Sequence, residues 1–358
     1  MRIPILLLVA ILVCPLPLRA SAARTTLREQ SQLTVEARGL QGVVVQNPRG
    51  WVEIHPSADG RIHVSALKLS TASETSRAER FARLTKVETE TRGASFIVRV
   101  LYPQNQTIRV DFWRFLEGEF DLPRVEVRLS LDVPPGMAVE LGAASGDLKT
   151  FDLRGPQSLR TVSGEIEVRN ASGPVSVVST SGDVVGSDLA RARLHSVSGD
   201  VSLDGVRGPL QIETTSGDID VRGAADSLEF STSSGDVRVD AAPRGIRVGT
   251  TSGDIQIDGA AAGIVRLHTI SGEVHAGLER GFRGVDIRTI SGDIELRVPD
   301  GLGCDMTLTT QSGSLENSMP LQVRTASHHR MVGAIAGGGP PVVLQSSSGD
   351  IAVTGGGR

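Results

Sequence analysis

Cysteine and aromatic residues are scarce in this sequence of 358 residues. There are two cysteines, Cys14 and Cys304, and aromatic residues make up 3% of the chain. Cys14 lies in an apolar N-terminal run, so Cys304 is the only cysteine left if that run is removed. An intramolecular disulfide is then excluded, and the stability of the fold must come from another source.

A strong positive charge and a second long apolar run are also missing. The chain has 37 Lys and Arg residues against 41 Asp and Glu residues, which gives a net charge of −4. No basic tract stands out, so nucleic acid is a poor candidate partner. Beyond the N-terminal run, no apolar segment is long enough to cross a bilayer, and we expect no transmembrane span.

The N-terminal run has the features of a secretory signal peptide. A charged start at Arg2 is followed by an apolar stretch that ends at Val13, and Ala20 and Ala22 form an Ala-x-Ala site. We assign the signal peptide to residues 1–22, with cleavage near Ala22. The bulky Val13 argues against lipidation of Cys14. We therefore expect an exported protein that is periplasmic, at the cell surface or extracellular.

One motif is abundant: Ser-Gly-Asp between two short β-branched runs, as in TTSGDIQID and TISGDIELR. Eleven Ser-Gly pairs recur in register at intervals of 17 to 21 residues, apart from a last interval of 36, which is twice 18. A fixed period of this size indicates a repeat array, because a catalytic motif usually occurs once. The eleven serines are Ser145, Ser163, Ser181, Ser198, Ser216, Ser234, Ser252, Ser271, Ser291, Ser312 and Ser348.

Each copy predicts two short strands that meet at a corner. When the serine is numbered zero, positions −4 and +3 are apolar in every copy, and position +1 is always glycine. Alternate residues of a strand share a face, so positions −4, −2, 0, +3 and +5 are predicted to point inward and −3 and +4 outward. Glycine permits a corner conformation that a Cβ resists. The predicted turn residues include Ser163, Gly164, Ser181, Gly182, Ser216, Gly217, Ser252, Gly253, Ser291 and Gly292.

A single coil is unstable by itself, and this predicts stacking. Each copy buries about three aliphatic side chains at about 1.5–3 kcal/mol each, whereas ordering costs about 1.5 kcal/mol per residue. Stacked coils share one core and hydrogen-bond to their neighbours. We therefore predict an all-β fold: a single-stranded β-solenoid of about 18-residue coils over residues 136–358, with an irregular excursion near 318–342.

The N-terminal third lacks the period. Residues 24–135 predict a β-rich region that caps the open end of the array, with one short helix near 72–88. Such a cap would cover unpaired strand edges.

The densest aromatic cluster of the chain lies within this third and includes Phe112, Trp113 and Phe115. These side chains either pack under the cap, which is the more common outcome, or form an exposed patch. An exposed patch would be a partner-binding site, and contact with a membrane surface is the weaker alternative.

The sequence resembles a known family. A strand–helix–strand opening, the LSLDVPPG passage and repeated TxSGDIxV coils are similar to the bacterial putative-adhesin family called domain of unknown function 4097, from about Val35 to Val353. The resemblance implies a secreted or envelope-associated β-solenoid, and it supplies no agreed catalytic residue.

The acidic residues at position +2 form the clearest candidate for chemistry. Stacking would place them about 5 Å apart, where each neighbouring pair repels by about 1 kcal/mol in water. Backbone N–H groups at the corners would offset this repulsion, and we expect no cofactor. Calcium is the alternative, although the calcium-binding β-roll repeats every nine residues. The calcium candidates are Asp183, Asp200, Asp218, Asp236 and Asp254.

A β-helical enzyme that acts on polysaccharides is the second alternative, since paired carboxylates serve as acid and base. No pair is distinguished within the repeated column, however. His195 and His268 share position −3 but would lie four coils apart, about 19 Å. An inward serine would exclude a nucleophile. Adjacent His328 and His329 would point in opposite directions, which disfavours a metal site.

The prediction is therefore a non-enzymatic envelope protein, of adhesin or scaffold type. Its outward positions differ from coil to coil, so no single repeated ligand is being recognised. This favours an envelope or cell-surface protein as the partner, or self-association.

Overall fold

The computed structural model describes residues 8–10, 25–72, 74–103, 124–240, 244–260 and 263–356, which form two compact units, Met1–Glu167 and Val168–Arg358. Apart from residues 8–10, the predicted signal peptide lies outside the described residues. The described elements of the first unit are β1 (Leu8–Ala10), β2 (Thr25–Glu36), β3 (Gly42–Gln46), β4 (Val52–Pro56), β5 (Arg61–Ala72), α1 (Thr75–Leu84), β6 (Lys86–Arg92), β7 (Ser95–Leu101), β8 (Arg124–Val133), β9 (Ala138–Gly142), β10 (Leu148–Phe151) and β11 (Gln157–Thr161). Strand β12 (Ile166–Arg169) crosses the boundary between the units.

Two sheets build the first unit. In one, β7, β3, β9 and β11 form a parallel ladder, and β6 adds antiparallel to β7. In the other, β8, β4 and β10 are parallel, and β5 and β2 add antiparallel beyond β8. Helix α1 buries Ala78 and Ala82, and the Ser70 hydroxyl of β5 donates to the Ala78 carbonyl at 2.7 Å. The one short helix predicted from the sequence is confirmed.

The first unit contains coils that the sequence period does not reveal. The β3–β4 segment supplies one strand to each sheet, and the parallel bridge between Arg49 and Ser145 aligns its corner with a Ser-Gly-Asp corner. Arg49, Gly50 and Trp51 therefore stand where other copies have Ser, Gly and Asp. The Ser-Gly period does not reveal this coil, because its corner shares only the glycine with the other copies.

The second unit consists of two parallel ladders. After β12 its elements are β13 (Pro174–Ser181), β14 (Val184–Leu189), β15 (Arg191–Ser198), β16 (Val201–Val206), β17 (Leu210–Ser216), β18 (Ile219–Arg222), β19 (Ser227–Ser231), β20 (Val237–Asp240), β21 (Gly245–Gly249), β22 (Ile255–Ala260), β23 (Ile264–His268), β24 (Val274–Leu278), β25 (Gly284–Ser291), β26 (Ile294–Pro299), β27 (Cys304–Ser312), β28 (Leu315–Asn317), β29 (Leu321–Ser327), β30 (Arg330–Ile335), β31 (Pro341–Ser348) and β32 (Ile351–Gly356). We call the ladder from β13 through β25, β31 and β27 the odd sheet, and the ladder from β14 through β26, β32 and β28 the even sheet. Each coil contributes one strand to each sheet, as a β-solenoid requires.

The last copy in the sequence is not the last in the stack. Strand β31 lies between β25 and β27, and β32 lies between β26 and β28. The β29–β30 hairpin pairs antiparallel with the outer side of β27. The chain therefore forms the terminal coil, β27–β28, first, and then returns to insert the β31–β32 coil between it and the β25–β26 coil. The hairpin covers the outer edge of β27.

The core lies between the two sheets, and the inward positions −4, +3 and +5 are confirmed. Ile212 at −4, Ile219 at +3 and Val221 at +5 are each at most 1% exposed. The position −2 hydroxyls, such as those of Ser179 and Thr214, are also buried.

The inward prediction for the serine is wrong. Ser181, Ser216 and Ser291 are exposed. The residue before the serine also faces outward, as Val197 and Ile290 do at 43% and 49% exposure. Alternation therefore fails within the last two residues of the strand, because the chain turns there toward the positive-φ glycine.

Candidate interaction surfaces

At most of the Ser-Gly-Asp corners two separate constraints require glycine, a positive φ and a close approach to the neighbouring coil. Gly217 has φ +143°, and a Cβ placed on it would lie 2.2 Å from the carbonyl oxygen of Gly199 in the neighbouring coil. Gly235 repeats the arrangement, with φ +136° and a distance of 2.3 Å to the Gly217 oxygen. A side chain would be strained by the backbone and would also clash with the next coil. The repeated motif is thus part of the architecture.

The acidic residues form a ladder with backbone N–H groups. The Asp218 N–H donates to Asp200 Oδ1 at 2.9 Å, the Asp236 N–H to Asp218 Oδ1 at 2.9 Å, and the Asp254 N–H to Asp236 Oδ1 at 3.0 Å. Asp183 accepts in the same way from the Asp200 N–H at 3.0 Å. These charge-assisted bonds offset the repulsion between stacked carboxylates. At Asp350, the N–H and the hydroxyl of Ser314 hold the pKa of the carboxyl below its ordinary value.

The calcium prediction stays a prediction. Each of the bonds above occupies one oxygen of its carboxylate. Within the ranges that the structure describes, no group of three or more His, Cys, Asp and Glu side chains is placed to hold a metal ion. His328 and His329 lie at the exposed turn between β29 and β30.

The two histidines that share position −3 do not lie together. His195 in β15 and His268 in β23 are separated by the three strands β17, β19 and β21. His275 lies between Glu273 and Glu295, at 3.2 and 3.1 Å. Burial alone would lower the pKa of His275, but the two carboxylates outweigh it and the net shift is upward. Cys304 is buried, and burial raises the pKa of its thiol.

The outer face of the even sheet carries charges of both signs, which alternate from β16 to β20, whereas Asp240 of β20 and Asp258 of β22 are like-charged register partners. We call the outward residues of β16, β18, β20 and β22 the mosaic face. Asp220 is the register partner of Arg238, and Arg222 is the register partner of both Asp204 and Asp240. Along the strand, Arg222 pairs with Asp220 at 2.6 Å.

The outer face of the odd sheet is different. A groove of about 780 Å³ crosses the first residues of β13, β15, β17, β19, β21 and β23. We call it the arginine groove, and its cationic lining residues are Arg191, Arg193, Arg244, Arg247, Arg266 and Arg283.

A larger cleft of about 1140 Å³ lies in the first unit at the corner of the β3–β4 coil. Trp51 lines it together with Arg49, Arg124 and Asp147. The predicted partner-binding residues Phe112, Trp113 and Phe115 lie outside the described residues, so a binding site at these rings stays a prediction.

No described helix has the length and apolar character of a membrane span. No curated protein matches the chain. Similar solved structures include a putative lipid binding protein from Parabacteroides distasonis ATCC 8503, which is 15% identical over 75% of this chain and 96% of that chain, with a TM-score of 0.34. A putative cell adhesion protein from Clostridium sporogenes ATCC 15579 is 8% identical over 92% and 100%, with a TM-score of 0.25. A putative adhesin from Bacteroides fragilis NCTC 9343 is 9% identical over 91% and 97%, with a TM-score of 0.26. Values this low carry no argument about what this chain binds.

The family model gives a firmer result. The model described as Toastrack DUF4097 matches residues 51–248 and 224–354, which is most of the chain and includes the Ser-Gly-Asp coils. The chain belongs to the Toastrack DUF4097 family.

Proposed function

We propose that this protein is an exported, non-enzymatic envelope protein of adhesin or scaffold type, whose solenoid presents a sheet face to a protein partner. The observation that carries the proposal is the mosaic face. Inward and corner residues repeat from coil to coil, whereas Asp220, Arg238 and Arg222 alternate in sign across neighbouring strands.

Alternating charges suit a folded protein partner. A surface with positive and negative charges in a fixed pattern binds a partner whose charges have the opposite pattern. A partner with another pattern would place like charges against each other and would bind more weakly. A uniformly charged polymer would be attracted by the residues of one sign on this face and repelled by those of the other sign. The regular strand spacing keeps the pattern rigid, which lowers the ordering cost of binding.

The geometry of the described corners does not favour a catalytic or calcium-binding role for their carboxylates. The carboxylates of the ladder serve one another's backbone, and no two of them are distinguished from the rest. The calcium module and the polysaccharide-acting enzyme are therefore kept as the two alternatives to the binding function.

The test exchanges two opposite charges on the mosaic face and leaves the amino-acid composition of that face unchanged. In the variant Arg222→Asp/Asp240→Arg, the two register partners exchange charges and the net charge is unchanged. A protein captured from the envelope fraction is purified and titrated against wild type and variant. We expect the variant to bind at least about tenfold more weakly, the effect of losing one or two well-placed charge pairs.

The matched control exchanges Arg160 and Glu140, an exposed pair in the first unit with an N–O distance of 3.1 Å. It should bind as wild type does. Equal binding by all three proteins, or the lack of any protein that binds wild type, would overturn the proposal.

N-terminal sequencing of the exported protein tests cleavage near Ala22.

A further inference from the structure

The lining of the arginine groove has a strong excess of positive charge, with six arginines and one acidic residue, Glu229. Arg247 in β21 and Arg266 in β23 are register partners, so two like charges stand on neighbouring strands, about 4.8 Å apart at the backbone. The ion pairs of the described odd-sheet face join His195 to Glu213, Arg288 to Asp286, and Asp305 of β27 to Arg324. On their outer sides Glu229 is the register partner of Arg247 and Asp286 that of Arg266, but among the described residues neither arginine forms an ion pair with them. An anionic group between them would remove this repulsion.

A second cationic cluster lies further along the same groove. Arg191 and Arg193 extend from β15, three strands from Arg247, which corresponds to about 14 Å. Both residues line the groove and are exposed. The groove therefore has two anion-binding ends rather than one continuous positive track.

The middle of the groove is not cationic. Ser227 and Glu229 of β19 line it between the two clusters. A carboxylate and a hydroxyl accept hydrogen bonds from hydroxyl groups, whereas a carboxylate repels another anion. Along the groove, a segment that accepts hydrogen bonds thus lies between two cationic segments.

We propose that the arginine groove binds a linear acidic oligosaccharide. Its carboxylate, sulfate or phosphate groups would lie between the arginines at the two ends, where guanidinium forks bind such groups in bidentate fashion. The hydroxyl groups of the sugars between them would donate to Glu229 and Ser227. This site goes beyond the proposed protein partner and lies on the other sheet.

Other anionic partners fit the groove less well. An acidic peptide would bring carboxylates against Glu229, and it cannot add as a strand because the backbone groups of the odd sheet are already paired within the ladder. A bilayer surface is flat, whereas this site is a groove. Since the lining residues include no aromatic side chain, binding would rest on charge and hydrogen bonds and would weaken strongly with salt.

The test is a calorimetric titration of the full chain, at low and at physiological salt, with a size-defined hyaluronan oligosaccharide, in which each glucuronate alternates with a neutral N-acetylglucosamine. We expect binding to wild type, at least tenfold weaker binding to Arg247→Ser/Arg266→Ser, and unchanged binding to Arg222→Ser/Arg238→Ser on the mosaic face. All four arginines are exposed, so equal melting temperatures should show that the variants are folded. A groove variant that binds as wild type does would overturn the proposal.

Two further comparisons separate a saccharide from a general polyanion. Poly-glutamate of equal charge and anionic phospholipid vesicles should bind at least tenfold more weakly than the hyaluronan oligosaccharide, and Glu229→Lys should weaken binding to that oligosaccharide. Equal or tighter binding of either competitor, or stronger binding of the hyaluronan oligosaccharide by Glu229→Lys, would overturn the proposal. The charge exchange Arg222→Asp/Asp240→Arg should leave the titration unchanged, so failure here is distinct from failure of the proposed protein partner.

Discussion

The β3–β4 coil and the β17–β18 coil have the same plan but different corner residues. Both place one strand in each sheet and join the strands at a glycine with positive φ, +112° at Gly50 and +143° at Gly217. The first coil has Trp51 where the second has Asp218. The comparison shows that the glycine and the inward aliphatic residues make the coil, whereas serine and aspartate adjust how one coil meets the next.

The first coil also replaces the usual hydroxyl residue. Asn47 is fully buried and donates from Nδ2 to the Val127 carbonyl at 2.8 Å, while the Tyr102 hydroxyl donates to Asn47 Oδ1 at 3.0 Å. In the second coil, Thr214 at this position is buried with only a long contact of 3.5 Å to the Ser216 carbonyl. A buried polar side chain is thus kept, with different partners.

The largest effect should come from an inward charge. Ile54→Asp and Ile219→Asp place a carboxylate at sites that are 0% and 1% exposed, without a partner. We expect each to cost more than about 4 kcal/mol of unfolding free energy. Arg238→Ser, at an exposed site, should change it by less than about 0.5 kcal/mol. Chemical denaturation measures all three, and similar losses at inward and outward sites would contradict the assignment of faces.

The corner glycines should come next. A Cβ on Gly50 would lie 2.3 Å from the Val127 oxygen, and one on Gly217 would lie 2.2 Å from the Gly199 oxygen. We expect Gly50→Ala and Gly217→Ala each to cost at least about 2 kcal/mol. Gly249→Ala is the control, because no atom lies within 4 Å of its added Cβ. If Gly50→Ala and Gly217→Ala had the same melting temperature as Gly249→Ala, the two corners would not share a requirement for glycine.

A smaller effect should distinguish the aspartate. Asp236→Ala removes the acceptor for the Asp254 N–H, so we expect a loss of about 1 kcal/mol. Asp236→Asn keeps an acceptor oxygen and should lose less. Thermal denaturation of wild type with millimolar calcium, and with calcium plus chelator, tests the calcium alternative. That alternative requires calcium to raise the melting temperature and the chelator to abolish the rise.

The smallest effect should be a pH dependence at Asp350. Its folded-state pKa lies below the ordinary value because it accepts hydrogen bonds from Ser314. The stabilisation is therefore complete above the unfolded-state pKa of about 3.9 and disappears as the pH falls through the lower folded-state pKa. Asp350→Asn should reduce the fall in melting temperature below about pH 4. An unchanged profile would show that the ladder bond at this corner has no energetic role.

Much of the fold could be predicted from periodicity because each coil repeats one local solution. The inward aliphatic residues at −4 and +3 follow from strand alternation, and the corner follows from glycine. The outward position of Ser216 could not be predicted in this way, because alternation fails where the strand ends. The β3–β4 coil was hidden because its corner shares only Gly50 with the motif.

The candidate sites were less visible in the sequence. Arg193 and Arg247 lie 54 positions apart in the chain and line one groove only because the coils between them stack in register. The alternation of Asp220 and Arg238 likewise requires β18 and β20 to be paired.

The sequence by itself determined that residues near each Ser-Gly pair form two strands and a corner, because those requirements act within about ten residues. Only the tertiary structure decided the order of stacking, in which β31 and β32 enter between earlier coils, and the charge pattern of each face. The reason is physical: strand hydrogen bonds accept any coil of matching shape, so local sequence does not encode which coil becomes the neighbour.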